Sequence, residues 1–297
     1  MAGLILEVID SFPRFLSVWG KIKSTDIKER PAVWEKEYMQ YYPELLQKQI
    51  EDYDQQGIDW REIAEEKVFP YLEDRFLAMY DARDNIKEIL PGIIANFERA
   101  MDRSVHACLV LYVGLGCGAG WVSRYRGKPA ILMGLENIAE CGWEGKEALQ
   151  GLIAHELGHL YQYQVRGNME DEGNPFLQLY REGFAHWTEK YLLERDFWHV
   201  ETGINPPGWE EWCEKNFPFL ARRFLQTVRE KGEAAEFFGH WKGVSGWKSC
   251  GFYLGYRFVS GLYEKGYSLE EIAGMDEVEK RVQKFLEVAM QGDNNGS

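Results

Sequence analysis

Apolar positions recur at helical spacing over most of this chain. Between the N-terminus and Met101 the segments Ala32 to Tyr42, Pro43 to Gln56, Trp60 to Leu77 and Ile93 to Met101 are amphipathic, with Pro31, Pro43, Gly57 and Pro91 as breaks. Helices are expected there, with Trp34, Tyr38, Tyr41 and Tyr42 as packing aromatics. The pattern changes at Val105. The run to Val113 is β-branched and apolar, Gly114 to Gly120 is a glycine-rich turn, and Trp121-Val122-Ser123 and Ala130 to Met133 read as further strands, which predicts a small antiparallel sheet. Helical spacing returns from Glu147 to Val165 and from Phe176 to Arg195. It continues through Trp209 to Asn216, Pro218 to Lys231, Val244 to Gly266 and Val278 to Met290, with Ser268 as an N-cap followed by Glu270 and Glu271. The expected fold class is therefore α+β and predominantly helical. Its expected divisions are an N-terminal helical region (1–101), a central core of sheet and two helices (102–200), a C-terminal helical region (201–290) and a frayed tail (291–297) without apolar residues.

The helix over Glu147 to Val165 carries the chemistry. Leu149, Ile153, Leu157 and Leu160 form one apolar stripe, while Gly151, His155, His159 and Gln162 share another face. On that face His155-Glu156-Leu157-Gly158-His159 spells H-E-x-x-H. Two histidines four apart present both imidazoles to one metal ion, and the acid beside them is placed to take a proton from water. With six histidines and 48 acids in 297 residues, random placement supplies at most ~0.02 occurrences of the pattern. The plainer account, a buried helix with two hydrogen-bonded core histidines, supplies no reason for Glu156 or for the small and polar character of the histidine face.

A catalytic zinc site takes three protein ligands and leaves one position open. The metzincin arrangement needs Gly at 162 and His at 165, where this chain has Gln162 and Val165. The gluzincin arrangement takes a Glu from a second helix. Over Phe176 to Arg195 the aromatics Tyr180, Phe184, Trp187 and Tyr191 form a core stripe, and Glu182, His186 and Glu189 lie opposite it. Glu182 is the expected third ligand, since Gly183 and Ala185 beside it allow close approach to the first helix. Asp171 and Glu172, in a polar loop, are weaker alternatives, and His186 is another. Glu189 or His186 would otherwise orient a metal-bound imidazole from behind.

Three pieces of sequence, Ala154-His155-Glu156-Leu157-Gly158-His159, Arg181-Glu182-Gly183-Phe184-Ala185 and Gly251-Phe252-Tyr253-Leu254-Gly255-Tyr256-Arg257, together resemble the DUF2268-type predicted zinc-dependent proteases. That group is gluzincin-like, and the resemblance runs from about Val105 to the end. It implies a zincin-like catalytic core, Zn2+ on His155, His159 and Glu182, Glu156 as general base, and a peptide or protein substrate. The family pattern tends to read G-Y-x-x-G-Y, and Phe252 departs from it, so a phenolic role would fall to Tyr256.

Zinc acidifies water and polarises the scissile carbonyl, and a second donor must meet the developing oxyanion. Tyr256 is the favoured candidate, ahead of Tyr253, Arg257 and His240; core packing of the tyrosines is the plain alternative. In zinc peptidases an edge strand binds extended peptide through its backbone, and Gly118-Ala119-Gly120-Trp121 is the candidate here, with Gly120 and Trp121 as substrate-binding residues. An ordinary glycine-rich hairpin explains the same residues. By analogy with other gluzincins the N-terminal region is expected to cap one side of the cleft; the loop Gly239 to Gly246, with Trp241 and Trp247, reads first as a surface connection pinned by the two tryptophans, with a border of the cleft as the alternative. Two rival readings stay open. Gly114 to Ala119 faintly resembles the glycine loop of peptide deformylases, which take a Cys as third ligand, and Cys141 is near; their E-G-C motif is missing. The other is a regulatory or binding protein with zinc as a structural clamp, against which Glu156 stands.

Composition adds exclusions. The net charge is -14 with no Lys/Arg run longer than two, which leaves no footprint for nucleic acid or an anionic membrane. Cys108, Cys117, Cys141, Cys213 and Cys250 are odd in number and lack C-x-x-C, and the N-terminus has no basic region or long apolar run. A cytoplasmic protein with free thiols and no transmembrane helix is expected. The oligomeric state is not legible.

Overall fold

A computed structural model describes residues 3–55, 57–167, 173–232, 234–239 and 242–291 of the chain. It is mostly helical with one small sheet, which makes it α+β. By their contacts the residues fall into two compact units, Met1–Gln150 and Gly151–Ser297.

The first unit holds the whole sheet. Its strands are β1 (Leu4–Asp10), β2 (Val105–Tyr112), β3 (Gly120–Tyr125) and β4 (Lys128–Gly134), in the order β1-β2-β4-β3. The expectation of an antiparallel sheet is corrected. β1 runs parallel to β2 and β2 parallel to β4, and only β3 is antiparallel, against β4. The antiparallel pair is local: Arg126 (φ 51°) and Gly127 (φ 72°) close a two-residue hairpin whose positive dihedrals match the strand twist. The parallel pairs are not hairpins: β1 and β2 are 101 residues apart and β2 and β4 are 22 apart, and no local pattern reports either pairing. β1 lies in a region expected to be helical throughout. Its apolar positions do not alternate cleanly, because Ile5 (57% exposed) faces out and Leu4 in.

Helices α1 (Phe12–Ser24), α2 (Arg30–Glu37), α3 (Pro43–Gln55), α4 (Trp60–Ile63), α5 (Phe76–Ala100) and α6 (Leu135–Cys141) complete this unit. Two expectations change. A π-helical stretch at Ala64–Val68 and a run of turns divide Trp60 to Leu77. Pro91 does not break α5, in which it lies on the exposed side.

Helix α7 (Lys146–Arg166) begins in the first unit and continues into the second. It ends as expected at Arg166, where Gly167 turns left-handed (φ +77°) and its N–H donates to Tyr163 O at 2.8 Å. Helix α8 (Pro175–Leu193) starts with Pro at its first position and Asn174 accepting from the N–H groups of Phe176 and Leu177, at 2.9 and 3.2 Å. The remaining helices are α9 (Trp209–Lys215), α10 (Phe217–Lys231), α11 (Ala235–Phe238), α12 (Cys250–Tyr263), α13 (Leu269–Ala273) and α14 (Val278–Ala289). The Ser268 cap is present, with Glu271 closing the capping box. Helix α12 starts later than expected, because Val244–Trp247 forms a bridged turn instead.

The tightest packing in the second unit joins α8 to α12. A Cβ on Gly183 would fall inside the backbone of Gly255, and one on Gly255 would meet Gly183 and Leu179 O. All five cysteines are free thiols. No helix among the described residues is long and apolar enough to cross a membrane.

Candidate metal centre

The second unit brings His155, His159 and Glu182 together. His155 and His159 lie one turn apart on α7 with ring centroids 4.8 Å apart and their Nε2 atoms 3.2 Å from each other. Glu182, in the middle of α8, puts its Oε2 3.2 Å from His155 Nε2 and 3.6 Å from His159 Nε2. Close approach of the two helices makes this reach possible. A Cβ on Gly158 would sit 2.8 Å from the Cα of Ala185, so Ala185 does serve the approach to α7, whereas Gly183 serves the contact with α12.

Two imidazole nitrogens facing each other at 3.2 Å, with a carboxylate oxygen on both, concentrate lone pairs at one point. Such a constellation is stable with a proton or a cation at its centre. The Nδ1 atoms of both rings are buried and have no hydrogen-bond partner among the described residues. A metal-bound imidazole carries its proton on the nitrogen away from the ion, and the two-His-one-carboxylate set suits zinc. The residues therefore fit the ion.

Charge follows burial. The Glu182 carboxyl sits well below the usual carboxylate range: burial alone would raise it, but His159 and His155 outweigh that. His155 is raised despite desolvation, because Glu182 hydrogen-bonds to it. Glu156 is 3% exposed and burial pushes its carboxyl up, with His159 and His155 pulling against the shift. Its Oε2 has no partner among the described residues. A buried carboxyl with a raised pKa and one unpaired oxygen is of the kind that can accept a proton.

Behind the histidines lies a polar layer that the sequence reading reached only in part. Glu189, fully buried on α8, accepts from His199 Nδ1 at 2.8 Å, from His199 N at 2.7 Å and from Arg195 Nη2 at 2.6 Å. Its carboxyl is held down at about 2, burial being outweighed by His199, His186 and Arg195. His186 stacks on Trp198 with centroids 4.5 Å apart, and Trp198 Nε1 donates to His186 O at 3.0 Å. Burial keeps His186 well below the ordinary histidine value. His186 does not join Glu182 at the metal centre; with His155 and Glu189 it forms a second group of donor atoms within 4.8 Å of one another. Arg195 already matches the charge of Glu189, which argues against a second cation there.

Three of the oxyanion candidates, Tyr253, Tyr256 and Arg257, lie on α12. Phe252 is the residue of α12 that meets the histidines, its ring 5.6 Å from His155 and 5.4 Å from His186. Tyr256, one turn on, packs its ring against Trp198 at 4.8 Å. Tyr253 is buried with its hydroxyl taking a bond from Arg257 Nη1 at 3.1 Å, and the Arg257 guanidinium lies over Phe217. His240, Trp241, Asp171 and Glu172 lie outside the described residues. Gly120 and Trp121 open β3 at the sheet edge in the first unit, where Trp121 Nε1 donates to Tyr112 Oη at 2.8 Å. Cys141 ends α6 in that unit, and the third donor at the histidines is a Glu182 oxygen. His199 and Arg195 carried no signal as partners of Glu189: Arg195 closes the expected helix and His199 follows it in a stretch with no clear period, and only the tertiary fold brings both to that carboxylate. No protein family, curated protein or solved structure matches the chain.

Proposed function

We propose that this protein is a gluzincin-type zinc metallopeptidase that hydrolyses peptide bonds. The observation that carries the reading is the convergence of His155 Nε2, His159 Nε2 and Glu182 Oε2 on one point with Glu156 on the same helix turn. When bound, zinc would supply Lewis acidity, polarising a carbonyl and acidifying water. Glu156 would take the proton of the attacking water and hand it to the leaving amine, and its buried carboxyl, raised from the ordinary value, suits both transfers. Glu182 would bind the ion as a carboxylate and so would not compete for that proton. The resemblance in three sequence motifs and the free cysteines support a cytoplasmic protease of the DUF2268 type.

A second reading, a zinc-clamped binding protein without catalysis, is favoured by one observation. The α12 residue beside the histidines is Phe252, which offers no hydrogen bond to an oxyanion. Two measurements on the full chain separate the readings. Zinc stoichiometry is expected at one ion per chain and to be lost in Glu182→Ala. Glu156→Gln is expected to keep zinc and to cut a peptide library roughly 100- to 10,000-fold more slowly than wild type. Equal cleavage by both proteins removes Glu156 from the chemistry, and retained zinc in Glu182→Ala removes Glu182 from the site.

A further inference from the structure

Three buried nitrogens share one small polar cell behind the metal centre: Nδ1 of His155 and both ring nitrogens of His186 lack a hydrogen-bond partner among the described residues. A ring nitrogen of His155, one of His186 and an oxygen of Glu189 lie within 4.8 Å of one another, too far for direct bonds throughout but within the span of one bridging water. Nothing in the cell is loose. His186 is stacked on Trp198, and Glu189 is fixed by His199 and Arg195. Room for this network comes from Gly151, one turn before His155 on the same face of α7. A Cβ at that position would overlap Arg195 Nη2 and Glu189 Oε1.

An imidazole that offers Nε2 to a metal carries its proton on Nδ1, and a buried N–H needs an acceptor. The group of donor atoms around Glu189 takes in His155 and not His159. We infer that Glu189 is a positioning residue for the metal centre: through one bridging water shared with His186 its carboxylate accepts the Nδ1 proton of His155, fixing the tautomer and tilt of that ring. The assignment rests on the proposed metal site and adds to it a reason for a buried glutamate seven residues beyond Glu182. His199 and Arg195 are its anchors. They hold the carboxylate facing α7 and keep it ionised in a place that would otherwise favour the neutral acid.

The test is zinc affinity by competition with a chromophoric chelator, together with the visible absorption bands of the cobalt-substituted protein, in wild type, Glu182→Ala, Glu189→Gln and Glu189→Asp. Glu189→Gln is expected to bind zinc about 10- to 100-fold more weakly than wild type and to shift the cobalt bands, with Glu189→Asp recovering part of both. A purely structural Glu189 would lower the melting temperature and leave the cobalt bands alone. Should Glu189→Gln fail to fold because Arg195 is left uncompensated, Glu189→Gln with Arg195→Gln removes both charges and carries the same expectation. Zinc affinity within about threefold of wild type and unchanged cobalt bands in the folded variant overturn the inference while Glu182→Ala still loses zinc. If wild type takes up no zinc, or Glu182→Ala binds it fully, the metal site itself is refuted, and the role of Glu189 falls with it.

Discussion

Burial decides what each carboxyl in this protein can do, and three glutamates show the range. Glu189 is out of water and Glu182 only partly exposed, but both are faced by cations or histidines, which hold their carboxyls down. Glu136, on α6, is 1% exposed with backbone N–H groups as its main partners, Gly116 N at 3.2 Å among them, and burial pushes its carboxyl up to about 7. The folded protein then keeps a proton that the unfolded chain, with a value near 4.5, gives up. Stability should therefore fall as pH rises from about 4.5 through about 7 and level off above, by on the order of 3 kcal/mol at most. Glu136→Gln cannot ionise and is expected to melt higher than wild type at pH 8 but not at pH 4.5; a difference that does not change with pH would contradict this. At the same scale the site was legible where chemistry fixes spacing. Four residues of helix separate two histidines that share a metal, so His155, Glu156 and His159 announce themselves, and Glu182 follows from the face it shares with His186 and Glu189. The partner of an oxyanion has no such spacing. Which of Phe252, Tyr253, Tyr256 and Arg257 turns toward the histidines depends on how α12 is rotated, and the sequence carries no measure of that.

Helices in the second unit are set by glycines. Gly183 and Gly255 let the backbones of α8 and α12 touch, and Gly158 admits Ala185 between α7 and α8. Replacing either partner of the α8 and α12 pair by Ala drives a methyl into backbone, which cannot retreat as a side-chain tip can. Gly183→Ala and Gly255→Ala are each expected to lose about 3 kcal/mol or more in denaturant unfolding. Gly158→Ala should lose zinc affinity as well, since it pushes Glu182 away from the histidines; unchanged affinity would show that the helices have slack. Helical periods of ten residues or more read well from sequence, and α7, α8, α10 and α14 lie where their apolar stripes put them. The sheet read worse. A two-residue hairpin such as Arg126-Gly127 is a local event, whereas β1 finds β2 across five helices, and its outward Ile5 and Val8 blur the alternation that marks a strand.

Across the whole molecule, the proposed ligands all belong to the second unit although α7 starts in the first. Metal binding should accordingly stabilise one part of the chain. Zinc at a hundredfold excess over its dissociation constant adds ~2.7 kcal/mol, worth roughly 5 to 10 °C in the melting of a unit this size. Calorimetry is expected to show that rise in the transition of the second unit, abolished in Glu182→Ala; a rise of equal size in that variant would mean that zinc acts elsewhere. Division into two units was not readable from the sequence, because the boundary falls inside a continuous helix and no proline, glycine cluster or change of composition marks it. The glycine contact between α8 and α12 has a consequence over generations as well. Positions 183 and 255 behave as a single heritable character: a side chain gained at one can be tolerated only if the helices part, and parting them moves Glu182 from its histidines. Substitution there is thus a record of whether a descendant still uses the centre, and a chain that has given up either glycine would be expected to have given up its metal too.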